Sequence, residues 1–141
     1  MRNQKLAEDY ISRAEKRIEA LKTLMKVEAW ADVVRESQEC VELALKSLLR
    51  ASGIEVPRVH DVSEILVDQK ARLPKGIGKH LERFMEISRR MRRDRELAFY
   101  GTEDLTPSEF YKEADAKKAL DDTVFIVKTI RPHIGSSSPS K

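Results

Sequence analysis

The stretch Trp30-Ala-Asp-Val-Val-Arg-Glu-Ser-Gln-Glu-Cys-Val-Glu-Leu-Ala-Leu-Lys-Ser-Leu-Leu-Arg50 decides the fold of this chain. Val33, Val34, Ser37, Cys40, Val41, Ala44, Leu45, Leu48 and Leu49 recur in it at helical spacing. At ~100° per residue they form one wide stripe, too apolar for a surface helix, so this segment is expected to be the central helix of a bundle. Gly53 supplies the left-handed stop at its end, and Pro57 prevents a restart.

The same period runs outward from this helix. Leu6, Tyr10, Ala14, Ile18, Leu21 and Met25 place an amphipathic helix over residues 3–25. Asp61-Val-Ser-Glu64 has the form of a capping box and opens a short helix with Val62, Ile65 and Leu66 inward. After Pro74, Gly76 and Gly78 a further helix is expected over residues 78–99, with Leu81, Phe84, Met85, Ser88, Met91 and Leu97 inward and Gly101 at its end. Thr106-Pro-Ser-Glu109 caps the last helix, which is expected to bury Phe110, Ala114, Ala119, Thr123, Val124, Val127 and Ile130 and to stop before Pro132. No strand signal competes. The expectation is an all-α, up-and-down antiparallel bundle of four long helices plus one short helix. It forms one domain over residues 1–134, with a flexible Gly/Ser/Pro tail over 135–141.

Composition narrows the function. Of the 141 residues 36% are charged and 40% hydrophobic, which suits a bundle with charged outer faces, yet the net charge is only +3. The single Cys40 excludes an intramolecular disulfide and a multi-cysteine zinc site. With no histidine near it in sequence, it reads as a small hydrophobe. His60, His80 and His133 show no ligand spacing, so neither metal nor cofactor is expected. No apolar run approaches the ~18 residues of a membrane span, and no leader is evident. A cytoplasmic protein is expected.

Positive charge is concentrated instead in Ile87-Ser-Arg-Arg-Met-Arg-Arg-Asp-Arg-Glu-Leu-Ala-Phe-Tyr-Gly101, which places five arginines within seven residues. Like charges at i,i+3 and i,i+4 spacing repel, so Arg89, Arg92 and Arg93 call for an acidic helix, a second subunit or a phosphate ligand. Arg89 and Arg90 could pair with Glu36, Glu39 and Glu42 as an ordinary solvated face. Arg95 shares a meridian with Met91 and Ser88 beside the core, where an arginine must be paired or bind something. Glu42 and Lys46 form an i,i+4 pair of favourable orientation, and Tyr100 is placed to close the bundle end. His60 marks the turn before Asp61.

In combination these pieces resemble the HEPN domains. Ser37-Gln-Glu-Cys-Val-Glu-Leu-Ala-Leu-Lys46 is similar to the family's Q-x-x-V/A-E-x-x-L-K element. Gly53-Ile-Glu-Val-Pro57, with one residue more between Gly and Pro, and His60-Asp61 are similar to its G-x-x-P…H-D/H-x-L turn, and Arg95-Glu-Leu-Ala-Phe-Tyr-Gly101 to its R-x-x-A-x-Y-G/P element. The likeness covers residues 6–130. It implies a small helical bundle of the kind found in toxin–antitoxin systems and beside nucleotidyltransferases. HEPN ribonucleases place an arginine and a nearby histidine from two subunits at a dimer interface and cut RNA without metal.

Here the arginine corresponds to Arg95 or Arg93, with four or six residues before Tyr100, and Tyr100 takes the place of the histidine. A phenol with a pKa near ~10 is a poor proton shuttle at neutral pH. The resemblance therefore assigns Arg95 and Tyr100 to the catalytic positions but favours a binding role, with Arg89, Arg92, Arg93, Arg95 and Tyr100 as ligand residues and Glu42, Lys46 and His60 as accessories. The ligand is a nucleotide or an RNA phosphate, held at a homodimer interface, with a minimal nucleotidyltransferase as protein partner and Tyr100 as the acceptor for modification. Two alternatives stand beside this one. One is a metal-independent ribonuclease toxin that recruits His60 or His80, and the other a purely structural dimerisation bundle.

Overall fold

The apolar stripe of Trp30–Arg50 becomes the helix α2 (Trp30–Ala51) in the computed structural model of the chain, and all nine stripe residues are buried. The structure describes residues 2–56, 62–100 and 105–134, with the backbone alone at 2 and 96–100. The helices before and after it are α1 (Arg2–Lys26), α3 (Val62–Asp68), α4 (Lys75–Gly78), α5 (Leu81–Tyr100), α6 (Pro107–Phe110) and α7 (Glu113–Ile130). Single 3₁₀ turns lie at Lys70–Arg72 and Arg131–His133. Among the described residues α1, α2, α5 and α7 are the four long helices, and α2 packs against each of the other three. The all-α bundle expected from the periodicity is the fold observed.

Two small polar groups on α2 show how α1 lies on it. The Cys40 thiol donates to the Ala14 carbonyl at 3.2 Å, and the Ser47 hydroxyl donates to the Ala7 carbonyl at 2.7 Å. As the position on α2 rises by seven, its partner on α1 falls by seven, so the helices run antiparallel. Alanine at both contact points of α1 lets the backbones approach closely enough for side chain to reach main chain. Leu45, Leu48 and Leu49 are fully buried beside these contacts. Each contributes on the order of 1.5–3 kcal/mol relative to exposure. Gly53 adopts φ +72 as the stop of α2, and the Ile54 N–H closes back on the Leu49 carbonyl at 2.9 Å. Arg72 donates to the Gly53 carbonyl at 2.8 Å, placing a cation at the negative end of α2.

Several expectations need correction. The buried stripe of α1 is centred on Ala7, Ile11, Ala14, Ile18 and Leu21, with Leu6 and Tyr10 at its half-buried edges. On α5 the expected Leu81, Phe84, Ser88 and Met91 are buried together with Ile87, whereas Met85 is half-buried; the Leu97 side chain lies outside the described residues. The single last helix is two. Thr106 and Glu109 form the expected capping box, but the chain turns extended at Tyr111 and Lys112 before α7 begins. That break resets the helical phase, so Phe110 and Ala114 are exposed and Tyr111 is buried in their stead. Among the described residues, three short helices replace the one expected. Pro57, His60 and Asp61, together with the tail 135–141, lie outside the described residues.

Candidate functional site

The run Arg89–Arg95 occupies the second half of α5, the helix that faces α2 on one side and α7 on the other. At ~100° per residue five arginines in seven positions cannot share one face, and the structure divides them. Arg92 and Arg95 line an open polar groove between α5 and α2, about 300 Å³ in volume, with Gln38, Glu39 and Glu42 on its other wall. Arg89, Arg90 and Arg93 line a second groove on the opposite flank of α5, together with Lys79 and Arg83. Arg93 and Arg95, which the sequence groups in one cleft, therefore face different grooves.

Their partners divide in the same way. Arg95 meets Glu39 at 3.6 Å, a long pair whose side chains are 42% and 35% exposed. Glu39 is shared with Arg35 at 3.9 Å, and Glu36 binds Arg17 and Arg35. Arg90 does not turn to the glutamates of α2. It reaches α7, where it bonds to Asp122, a carboxylate only 8% exposed. Lys118 at 3.6 Å and Arg83 at 3.9 Å complete the cationic surround of Asp122. Arg93 is 71% exposed and lies 3.7 Å from Asp94.

Asp94 and Tyr111 anchor the turn that carries Arg95. The Tyr111 hydroxyl donates to the Asp94 backbone carbonyl at 3.0 Å, tying the α6–α7 connection to α5. Burial first, then the carboxylates of Asp94 and Asp115, push the Tyr111 phenol up to about 12, so it stays a donor. Burial also raises the Asp94 carboxyl, partly offset by Arg93 and Arg90. Cys40 is fully buried, and burial lifts its thiol to about 12 despite Arg17 nearby, which fits a small hydrophobe and not a nucleophile.

Of the remaining candidates, Glu42 lines the α2–α5 groove, and Lys46 lies on α2 one turn beyond it without lining the groove. The α5 backbone is helical through Tyr100, but the Tyr100 side chain and all of His60 lie outside the described residues. His80 packs edge-on against Phe125 and stacks with Phe84, on the α7 side of α5 and away from the α2–α5 groove. Sequence reasoning missed Gln38, Asp122, Lys79 and Arg83. Asp122 carried a signal, since a carboxylate between Ala119 and Ile126 on a buried stripe demands a cation.

The fold and the order of these elements can be set against known proteins. A family model described as HEPN domain matches residues 7–133. The chain belongs to the HEPN family. The crystal structure of ST0689, described as an archaeal HEPN homologue, superposes with a TM-score of 0.69 over 92% of this chain and 98% of that one. At 24% identity that likeness speaks for the shared HEPN fold. A Methanocaldococcus jannaschii protein named "Putative toxin MJ1304" is 43% identical over 63 residues, a match spanning 45% of this chain and 41% of the relative. Among the described residues of this HEPN chain, no helix is long and apolar enough to cross a membrane.

Proposed function

We propose that this HEPN protein binds a nucleotide or an RNA phosphate in the α2–α5 groove, with Arg92 and Arg95 as the phosphate forks. The observation that carries this reading is the Arg95–Glu39 pair, long at 3.6 Å and open to solvent. A pair of that kind holds its cation in place at little cost to exchange, since exposed ion pairs contribute only about 0–1 kcal/mol. A phosphate offers the same guanidinium two short, charge-assisted bonds in its place. Gln38 adds a polar amide to the same groove, and Glu39 and Glu42 stand opposite the two arginines.

The family and the toxin-named relative support a toxin–antitoxin setting; the partner in this reading is a minimal nucleotidyltransferase. The working form is a homodimer in which two copies of the groove adjoin, with Tyr100 at the end of α5 beside the ligand. Binding is favoured over RNA cleavage because tyrosine stands where the family's histidine belongs, and His80 faces the other flank of α5.

The test is equilibrium titration of the purified protein with nucleotides and short RNAs, alongside Arg92→Ala/Arg95→Ala, with light scattering for the dimer and product analysis of the same RNA. The reading expects affinity that weakens with salt and falls at least tenfold in the double variant. Equal affinity in the two proteins, or none in the wild type, would defeat it. Shortened RNA products would move the assignment to the ribonuclease class.

A further inference from the structure

The second groove, lined by α5 and Lys79, has no part in the binding reading above. It is the larger of the two, about 870 Å³, and its wall is built of Lys79, Arg83, Arg89, Arg90 and Arg93. Arg90 is committed to the buried Asp122. Arg83 also approaches Asp122 and Arg93 approaches Asp94, and with Glu82 and Glu86 along the groove five cations stand against four acids, so the wall keeps a small excess of positive charge. Arg83 and Arg93 are 57% and 71% exposed, and Lys79 and Arg89 are exposed as well. None of these four is locked into the core.

The extent of the groove selects the ligand. Arg83 and Arg93 lie ten residues apart on one helix, which at 1.5 Å per residue separates them by roughly 15 Å. A single phosphate or a mononucleotide engages only part of such a wall, whereas a polyanion can engage all of it. An aromatic feature favours nucleic acid over an acidic peptide. The Arg83 guanidinium lies over the Phe125 ring at 3.9 Å, and Phe125 packs edge-on against Phe84 and His80. A guanidinium over a ring, more than half exposed as Arg83 is, leaves a cationic surface on which an unpaired base can stack. Bases of a duplex are already stacked, so the preference is for a single strand.

We propose that the Lys79–Arg83–Arg89–Arg93 groove is a second contact track for single-stranded RNA, separate from the α2–α5 groove. It rests on the RNA-binding reading and extends it. A short ligand uses the α2–α5 groove alone, and a longer strand also engages the Lys79–Arg93 groove. The two faces of one arginine-rich helix then serve one strand.

The experiment is a salt titration of single-stranded RNA binding by the full chain, a mononucleotide being measured in parallel. Wild type is compared with Arg83→Ala/Arg89→Ala and with Lys79→Ala/Arg89→Ala, both confirmed as folded by their helical melts. Arg90 is left in place because it holds Asp122. Single-strand binding loses about 0.7 in the slope of log K against log salt for each phosphate contact removed. Each double variant is expected to show a slope shallower by roughly 1.4, with mononucleotide affinity unchanged. RNA binding that depends on Arg92 and Arg95 but is identical in wild type and both flank variants would overturn the second track and leave the α2–α5 reading intact. Absence of any RNA binding by the wild type would remove both. Polyglutamate that displaces the RNA from the flank as well as unlabelled RNA does would assign the groove to an acidic protein and overturn the proposal.

Discussion

Arg90 of α5 bonds to the nearly buried carboxylate of Asp122 on α7, so one member of the arginine run belongs to the core and not to a ligand. The pair spans the α5–α7 contact beside the T-shaped Phe84–Phe125 packing and fixes which flanks of α5 remain open. Removing a partner from a buried pair costs more than the pair is worth, because the remaining charge stays desolvated. Arg90→Ala is expected to destabilise the fold by about 2–4 kcal/mol, softened by Lys118 and Arg83, and Arg89→Ala by less than about 0.5 kcal/mol. Urea unfolding of the two variants checks the contrast. Equal midpoints would mean that the Asp122 pair contributes nothing to stability.

Asp94 gives a pH signature of its own. Burial raises its carboxyl in the folded state above the ordinary carboxylate range, against the pull of Arg93 and Arg90. A raised acid favours folding while it is protonated. That contribution is full below the unfolded carboxylate value near ~3.9 and is lost as pH rises through the folded one. Asp94→Asn should therefore unfold at a higher temperature than wild type at neutral pH, with the difference closing toward pH ~3. A lower melting temperature for Asp94→Asn than for wild type at neutral pH would show that Arg93 and Arg90 outweigh burial.

Tyr111→Phe tests the anchor of the Arg95 turn. The variant keeps the buried ring and loses only the 3.0 Å bond to the Asp94 carbonyl. The expected cost is about 1 kcal/mol in global stability, with faster amide exchange in the last turns of α5. Unchanged exchange there would mean that the hydroxyl does not hold the helix end.

Cys40 should be nearly inert. With the thiol buried and its pKa pushed up to about 12, alkylation of the native protein at pH ~8 is expected to run at least ~100-fold slower than that of the unfolded chain. Labelling at the rate of a free thiol would place Cys40 in an accessible site.

The helices were legible in the sequence because burial imposes a period that a single chain must display. Every stripe residue named for α2 is buried, and Gly53 and Thr106-Pro-Ser-Glu109 end and begin helices as their chemistry requires. The phase of the last helix was not legible. Phe110 and Tyr111 are adjacent aromatics, and only the extended backbone at Tyr111 and Lys112, set by packing on α5, decides which one is buried. The division of the arginines was hidden for a related reason. Spacing shows that Arg89 to Arg95 surround a helix, but which flank meets α2 and which meets α7 depends on tertiary packing. The buried aspartate that captures Arg90 lies 32 residues away in sequence.

In the proposed binding mode Arg92 and Arg95 meet the ligand while Arg90 serves the core. Isotope-edited NMR of the arginine Nε–H groups, assigned by single substitutions and titrated with a short RNA, tests it most directly. The Arg92 and Arg95 signals are expected to shift with ligand concentration, and the Arg90 signal to stay in place. Shifts at Arg90 with Arg92 and Arg95 unmoved would contradict it.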